Sequence, residues 1–115
     1  MAAGTYNFTI EQGVTFTLSL TYTDPSDTPI DLTGFSARMM LKESISAKKA
    51  LIDASTANGK ITLGGSDGTV DIVISAAETA ELPLVTGVYD LELTSGSAVS
   101  RLIQGTFTVS AGVTA

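Results

Sequence analysis

The sequence predicts an all-β domain: an antiparallel β-sandwich of seven to nine short strands, with one short helix before the penultimate strand. Three observations carry this. Residues 14–22 alternate without a break, Val14, Phe16, Leu18, Leu20 and Tyr22 on one side and Thr15, Thr17, Ser19 and Thr21 on the other. That two-residue period is the pattern of a half-buried strand. Turn-forming clusters of Gly, Pro, Asp and Ser recur between such runs. The closing stretch, residues 87–110, gives two alternating runs about a short polar turn, with Tyr89, Leu91 and Leu93 opposed to Asp90, Glu92 and Thr94, as in a sheet with one wet face. Closure into a barrel is the competing arrangement.

Taken in order, residues 1–4 are small and unpatterned, an expected N-terminal arm. Tyr6, Phe8 and Ile10 alternate as a first strand, and Glu11-Gln12-Gly13 turns the chain into the long run above. Asp24-Pro25-Ser26-Asp27-Thr28-Pro29 is dense in turn formers and ends that run. Phe35, Ala37, Met39 and Leu41 then alternate with Ser36, Arg38, Met40 and Lys42, and Ala50 to Ile52 suggests a short strand. Two more short strands, residues 60–63 and 69–74, flank Gly64-Gly65-Ser66-Asp67-Gly68. Ser75-Ala76-Ala77-Glu78 has the form of a capping box, in which the Ser hydroxyl accepts from an early helical N–H. The helix is predicted over 76–82 and stops before Pro83. Residues 111–115 form an expected C-terminal tail.

Composition narrows the function. At 115 residues one domain spanning 1–115 is expected. There is no cysteine and no histidine, which removes disulfides, thiolate metal sites and the commonest general base near neutral pH. A net charge of −6 repels phosphate backbones and argues against nucleic acid and anionic membrane as partners. The first residues lack a basic region and a long apolar run, so neither a signal peptide nor a membrane span is predicted. Charged residues make up only 16 %, against about 25 % in ordinary globular domains, and mean hydropathy is +0.32. Such a surface suits a subunit covered by neighbours, and a homo-oligomer within an assembly is the expectation.

The order helix, Pro83, Gly87-Val88-Tyr89, alternating strand is that of the E–F corner of immunoglobulin-like sandwiches, where a tyrosine at the strand start donates its hydroxyl to backbone just upstream. Tyr89 is the candidate tyrosine corner. In the last strand Val99, Arg101, Ile103, Gly105, Phe107 and Val109 fall on one side. Gly105 marks either a bulge or a close backbone approach. Leu102 falls on the opposite side, and with Gly105 and Val113 of the tail it is a candidate interface residue.

The run Ile30-Asp31-Leu32-Thr33-Gly34-Phe35-Ser36-Ala37-Arg38-Met39-Met40-Leu41-Lys42 resembles a segment of the N-terminal domain of phage baseplate upper proteins. Tyr89-Asp90-Leu91-Glu92-Leu93-Thr94 and the stretch from Arg101 to Ser110 resemble the end of small tailed-phage and prophage virion proteins. Together these likenesses run in order from about Phe8 to Ser110. They imply an immunoglobulin-like structural module of a virion whose partners are other tail, baseplate or capsid proteins. On this resemblance the sequence is expected to end about where such a module ends, without the longer C-terminal region of a full baseplate upper protein.

No grouping in the sequence points to catalysis, and no cofactor or metal is expected. Asp24 and Asp27 lack the further ligands of a calcium loop, and residues 64–68 lack the Gly-Lys-Ser/Thr ending of a phosphate loop. Asp90 and Glu92 share a strand face, about 7 Å apart by strand rise, a spacing better explained by a solvated face than by glycoside hydrolysis. Without histidine there is no Ser-His-Asp triad, and Lys48 and Lys49 lie in a polar stretch unlike that of a buried Ser-Lys pair. Arg38, Lys42, Lys48 and Lys49, four of the six basic residues, fall within a short span. They form either a solvated strand and loop or a basic patch that docks on an acidic neighbour. The expectation is a non-enzymatic virion protein acting as a tail or baseplate adaptor. The alternatives are a head decoration protein and, in another class, a carbohydrate-binding or adhesion module.

Overall fold

The computed structural model describes residues 4–111. Among them nine strands run in the order β1 (Gly4–Thr5), β2 (Phe8–Glu11), β3 (Phe16–Thr21), β4 (Ser36–Lys42), β5 (Ile52–Ser55), β6 (Ile61–Leu63), β7 (Thr69–Ile74), β8 (Thr86–Ser95) and β9 (Ala98–Ser110), with α1 (Ala76–Ala80) between β7 and β8. The larger sheet has the order β1-β9-β8-β4-β5, with β2 also on β9, and the smaller has the order β3-β7-β6. The two sheets form a sandwich, with β9-β8-β4 facing β3-β7-β6 and β5 added outside β4. The all-β sandwich expected from alternation is the observed fold.

The inner faces meet as the alternation requires. Met39 and Leu41 of β4, Leu91 and Leu93 of β8 and Phe107 of β9 lie against Ile61 of β6 and Val70, Ile72 and Ile74 of β7 in one buried cluster. Ile10 of β2 is fully buried with them. Removal of this apolar area from water, at about 25 cal/mol per Å², is the main force holding the sheets together.

Two expectations change at the N-terminal end. Gly4, placed in the arm, begins β1, and both β1 and β2 pair parallel with β9. The first and last strands are therefore an exception to the antiparallel pattern, because the chain crosses between the sheets after β2. The run from Val14 also starts late: Val14 is 48 % exposed, since its N–H closes a turn onto Glu11 O and pairing with β7 begins only at Phe16.

The capping box forms, and the helix is shorter than predicted. Ser75 Oγ accepts from Glu78 N–H at 3.2 Å and donates to the Glu78 carboxylate at 3.1 Å. Burial alone would raise the Glu78 pKa, but hydrogen bonds from Lys60 and Ser75 and the charge of Lys60 outweigh it and hold the carboxyl below its usual value. Thr79, fully buried, donates to Val14 O at 2.9 Å, and Gln12 Nε2 donates to Leu82 O at 2.6 Å. The helical turn thereby ties the β2–β3 connection to the segment before β8.

A register shift lies between Leu91 and Glu92 of β8, so that Leu91 faces Ile103 and Glu92 faces Arg101. The extra residue, Leu102, flips every position before it. Val99 and Arg101, expected on the inner side with Ile103, stand instead on the outer face with Asp90 and Glu92. Strict period-2 counting fails across one inserted residue for this reason.

Candidate interaction surface

The outer face of the larger sheet carries the most organised side-chain arrangement in the domain. Register places Arg38 of β4 beside Glu92 of β8, and Glu92 beside Arg101 of β9. Arg38 grips Asp53 of β5 with two bonds, 3.0 Å from Nε and 2.7 Å from Nη2. Arg101 bonds Asp90 at 3.1 Å and lies 3.7 Å from Glu92. The result is an alternating stripe, Asp53–Arg38–Glu92–Arg101–Asp90, running across the strands. The hydrogen bond from Arg38 holds the Asp53 carboxyl below its usual pKa. Half-exposed pairs of this kind contribute about 0–1 kcal/mol each, so the stripe chiefly neutralises the face.

Beside the stripe lies an open hollow of about 590 Å³ whose lining includes Met40, Val88, Ile45, Lys42 and Gln104. Ile45, on the β4–β5 loop, is 87 % exposed. Sequence reasoning missed Met40 and Val88, although both are apolar residues at outward positions of otherwise polar faces. Ile45 gave no periodic signal because it lies in a loop.

The four predicted cations have different surroundings. Arg38 is committed to Asp53, and Lys42 borders the hollow. Lys48 and Lys49 line a separate shallow depression with Glu43 and Leu51. Asp90 and Glu92 are both ion-paired with Arg101 and stand with it at the edge of the hollow. Asp24 Oδ1 accepts from the N–H groups of Ser26 and Thr28, a turn held by its own side chain. Among the described residues no three carboxylates gather where a metal ion would sit. None of their helices is long and apolar enough to cross a membrane.

Gly105 is a close-approach residue, and the bulge falls at Leu102 instead. A Cβ on Gly105 would stand 2.2 Å from Tyr6 O and 2.6 Å from Asn7 Oδ1. The missing side chain lets the link between β1 and β2 lie on β9, where Tyr6 N–H donates to Gln104 O and Thr106 N–H donates to Asn7 Oδ1. Leu102 is half-buried and packs against the core rather than standing free. Val113 lies outside the described residues.

Tyr89 is not a tyrosine corner. Its hydroxyl donates to upstream backbone, but to Tyr6 O on the N-terminal segment rather than to a residue a few positions before it. Tyr89 stands opposite Gly105, and the bare glycine leaves the ring room to reach over β9 to that segment. Burial, with Tyr6 nearby, pushes the hydroxyl up to about 12 from 10.0. Its neutral form is the one the fold favours, so this stabilisation is complete below about pH 10 and is lost as pH rises towards about 12. We expect the loss to be on the order of 2–3 kcal/mol. Tyr89→Phe should cost about 1 kcal/mol at neutral pH and flatten the decline between those values. Urea unfolding at stepped alkaline pH measures both; a decline of equal depth in the variant would contradict the assignment.

No family model and no curated protein matches this chain.

Proposed function

We propose that this protein is a non-enzymatic structural component of a tailed-phage virion, a tail or baseplate adaptor that repeats within the particle and binds neighbouring subunits. The observation that carries this reading is where the resembling segments fall. The run 30–42 supplies β4 and the loop before it, and the other two lie in β8 and β9. Because β4, β8 and β9 are adjacent in one sheet, the likeness is gathered in a continuous surface. Its outer face is the neutralised stripe and the apolar-floored hollow, a suitable combination for docking without long-range charge.

The surface supports the same reading. Seven charged side chains are tied into ion pairs with one another, while Ile45, Leu84 and Val99 stand 59–87 % exposed. Quantitative mass spectrometry of gradient-purified particles from the source tests the proposal. A small multiple of three or six copies per particle is the expected result, following tail symmetry. Copies in the hundreds would move the protein to the head as a decoration protein, and absence from the particles would overturn the proposal.

A further inference from the structure

We propose that β3 is a self-association edge, through which two copies of this chain pair antiparallel and join their smaller sheets into one. This stands independently of the virion reading.

The backbone geometry leaves β3 open. Val73 N–H donates to Lys60 O and Thr69 O accepts from Gly64 N–H, both at 2.9 Å, so the odd positions of β7 face β6. Alternation turns Val70, Ile72 and Ile74 towards β3, where they pair with Leu20, Leu18 and Phe16. The N–H and C=O groups of Thr17, Ser19 and Thr21 therefore point away from the sheet. Among the described residues no strand lies on that side.

The other edges are protected in the usual ways. β1 has two residues, and β6 has three and follows Lys60. β5 has four and carries the Asp53–Arg38 pair, and β2 ends in Glu11. β3 alone offers six residues, Phe-Thr-Leu-Ser-Leu-Thr, with no charge, no proline and no register shift.

The same strand specifies its occupant. A two-fold axis at Ser19 sets Ser19 against its own copy, Thr17 against Thr21 on the outer face and Leu18 against Leu20 on the inner face. Hydroxyl meets hydroxyl and leucine meets leucine. A symmetric interface confronts the residue on its axis with itself, and like charges directly opposite are unfavourable. In a chain of net charge −6, a neutral edge is where a second copy can approach. Phe16 and Leu20 are only half-buried in the single copy, and the partner's inner row would extend over them. A basic peptide would find no carboxylate along this strand.

The test is sedimentation velocity on the purified full chain over a concentration series. The expected mass rises from 11.8 kDa towards twice that value. Ser19→Lys should weaken the dimer about tenfold or more, by placing two ammonium groups at the axis. Thr62→Lys, on the far strand of the same sheet, should leave association unchanged. Ser19→Cys should form a disulfide-linked dimer on mild oxidation, since paired Cα atoms about 5.5 Å apart can be bridged and the chain has no other cysteine. A single-copy mass at every concentration, or association that survives Ser19→Lys, would overturn the proposal. If circular dichroism shows Ser19→Lys unfolded, the cysteine variant decides, and absence of the linked dimer overturns it.

Discussion

Phe107→Ala is expected to cost about 3–5 kcal/mol, the usual range for emptying a fully buried aromatic site. Phe107 has no exposed surface, and it faces Phe8 of β2 on one side and Gly87 of β8 on the other. A Cβ on Gly87 would come within 2.7 Å of the Phe107 ring and 2.2 Å of Lys42 O, so ring and backbone are already in close contact there. The Lys42 carbonyl also limits how far β8 can move in to refill the space, which places the cost in the upper part of the range. Small domains are stable by about 5–15 kcal/mol, so the loss is a large share of the total. Urea unfolding should show a lower midpoint with an unchanged slope. Thermal unfolding should shift by roughly 12–20 °C at about 4 °C per kcal/mol. A loss under about 1.5 kcal/mol would mean that the two sheets close over the gap.

Gly105→Ala is expected to be nearly as damaging, by a different route. Its methyl group would lie 2.2 Å from Tyr6 O and 2.9 Å from Tyr6 C, and these are backbone atoms that cannot rotate aside. The link between β1 and β2 would have to lift from β9. That breaks the bonds from Tyr6 N–H to Gln104 O and from Thr106 N–H to Asn7 Oδ1, and it draws Tyr6 O away from the Tyr89 hydroxyl. Overpacking of about 1–3 kcal/mol and lost bonds of about 1 kcal/mol each give a total of about 3 kcal/mol or more. Amide hydrogen exchange separates this from a global effect. Protection should fall first across residues 4–11 and persist in β3, β6 and β7. Uniform loss across both sheets would show that the N-terminal strands and the core unfold together.

Both sites show what the sequence made visible. Alternation placed β3, β4, β8 and the β6–β7 pair on the right residues, because each of those strands has one face in the core and one outside. The Ser75–Glu78 cap was legible because its chemistry is local. The features that depend on chain segments distant in sequence were hidden. Parallel pairing of β1 and β2 with β9 leaves the same alternating signature as antiparallel pairing. The inserted residue at Leu102 moved Arg101 from an expected inner position to the outer stripe, and no local composition announces which of two facing strands takes the extra residue. The importance of Gly105 was legible, but its reason was not, since the atoms it makes room for lie about a hundred residues earlier in the chain. The basic run was legible as a cluster in sequence, but the commitment of Arg38 to Asp53 was not, because the partner lies on the next strand.

The parallel seam between the N-terminal strands and β9 also has a mechanical consequence. Gly4 lies beside Ile103, and Glu11 lies beside Ser110. Tension applied between the start of β1 and the end of β9 therefore pulls the two sides of the seam past one another along their length. Its bonds are loaded together in shear rather than opened one after another, as they would be in an antiparallel pair pulled from its open end. A load applied between Gly4 and Ser110 would thus be shared along the whole seam, including the close approach of Tyr6 and Asn7 to Gly105.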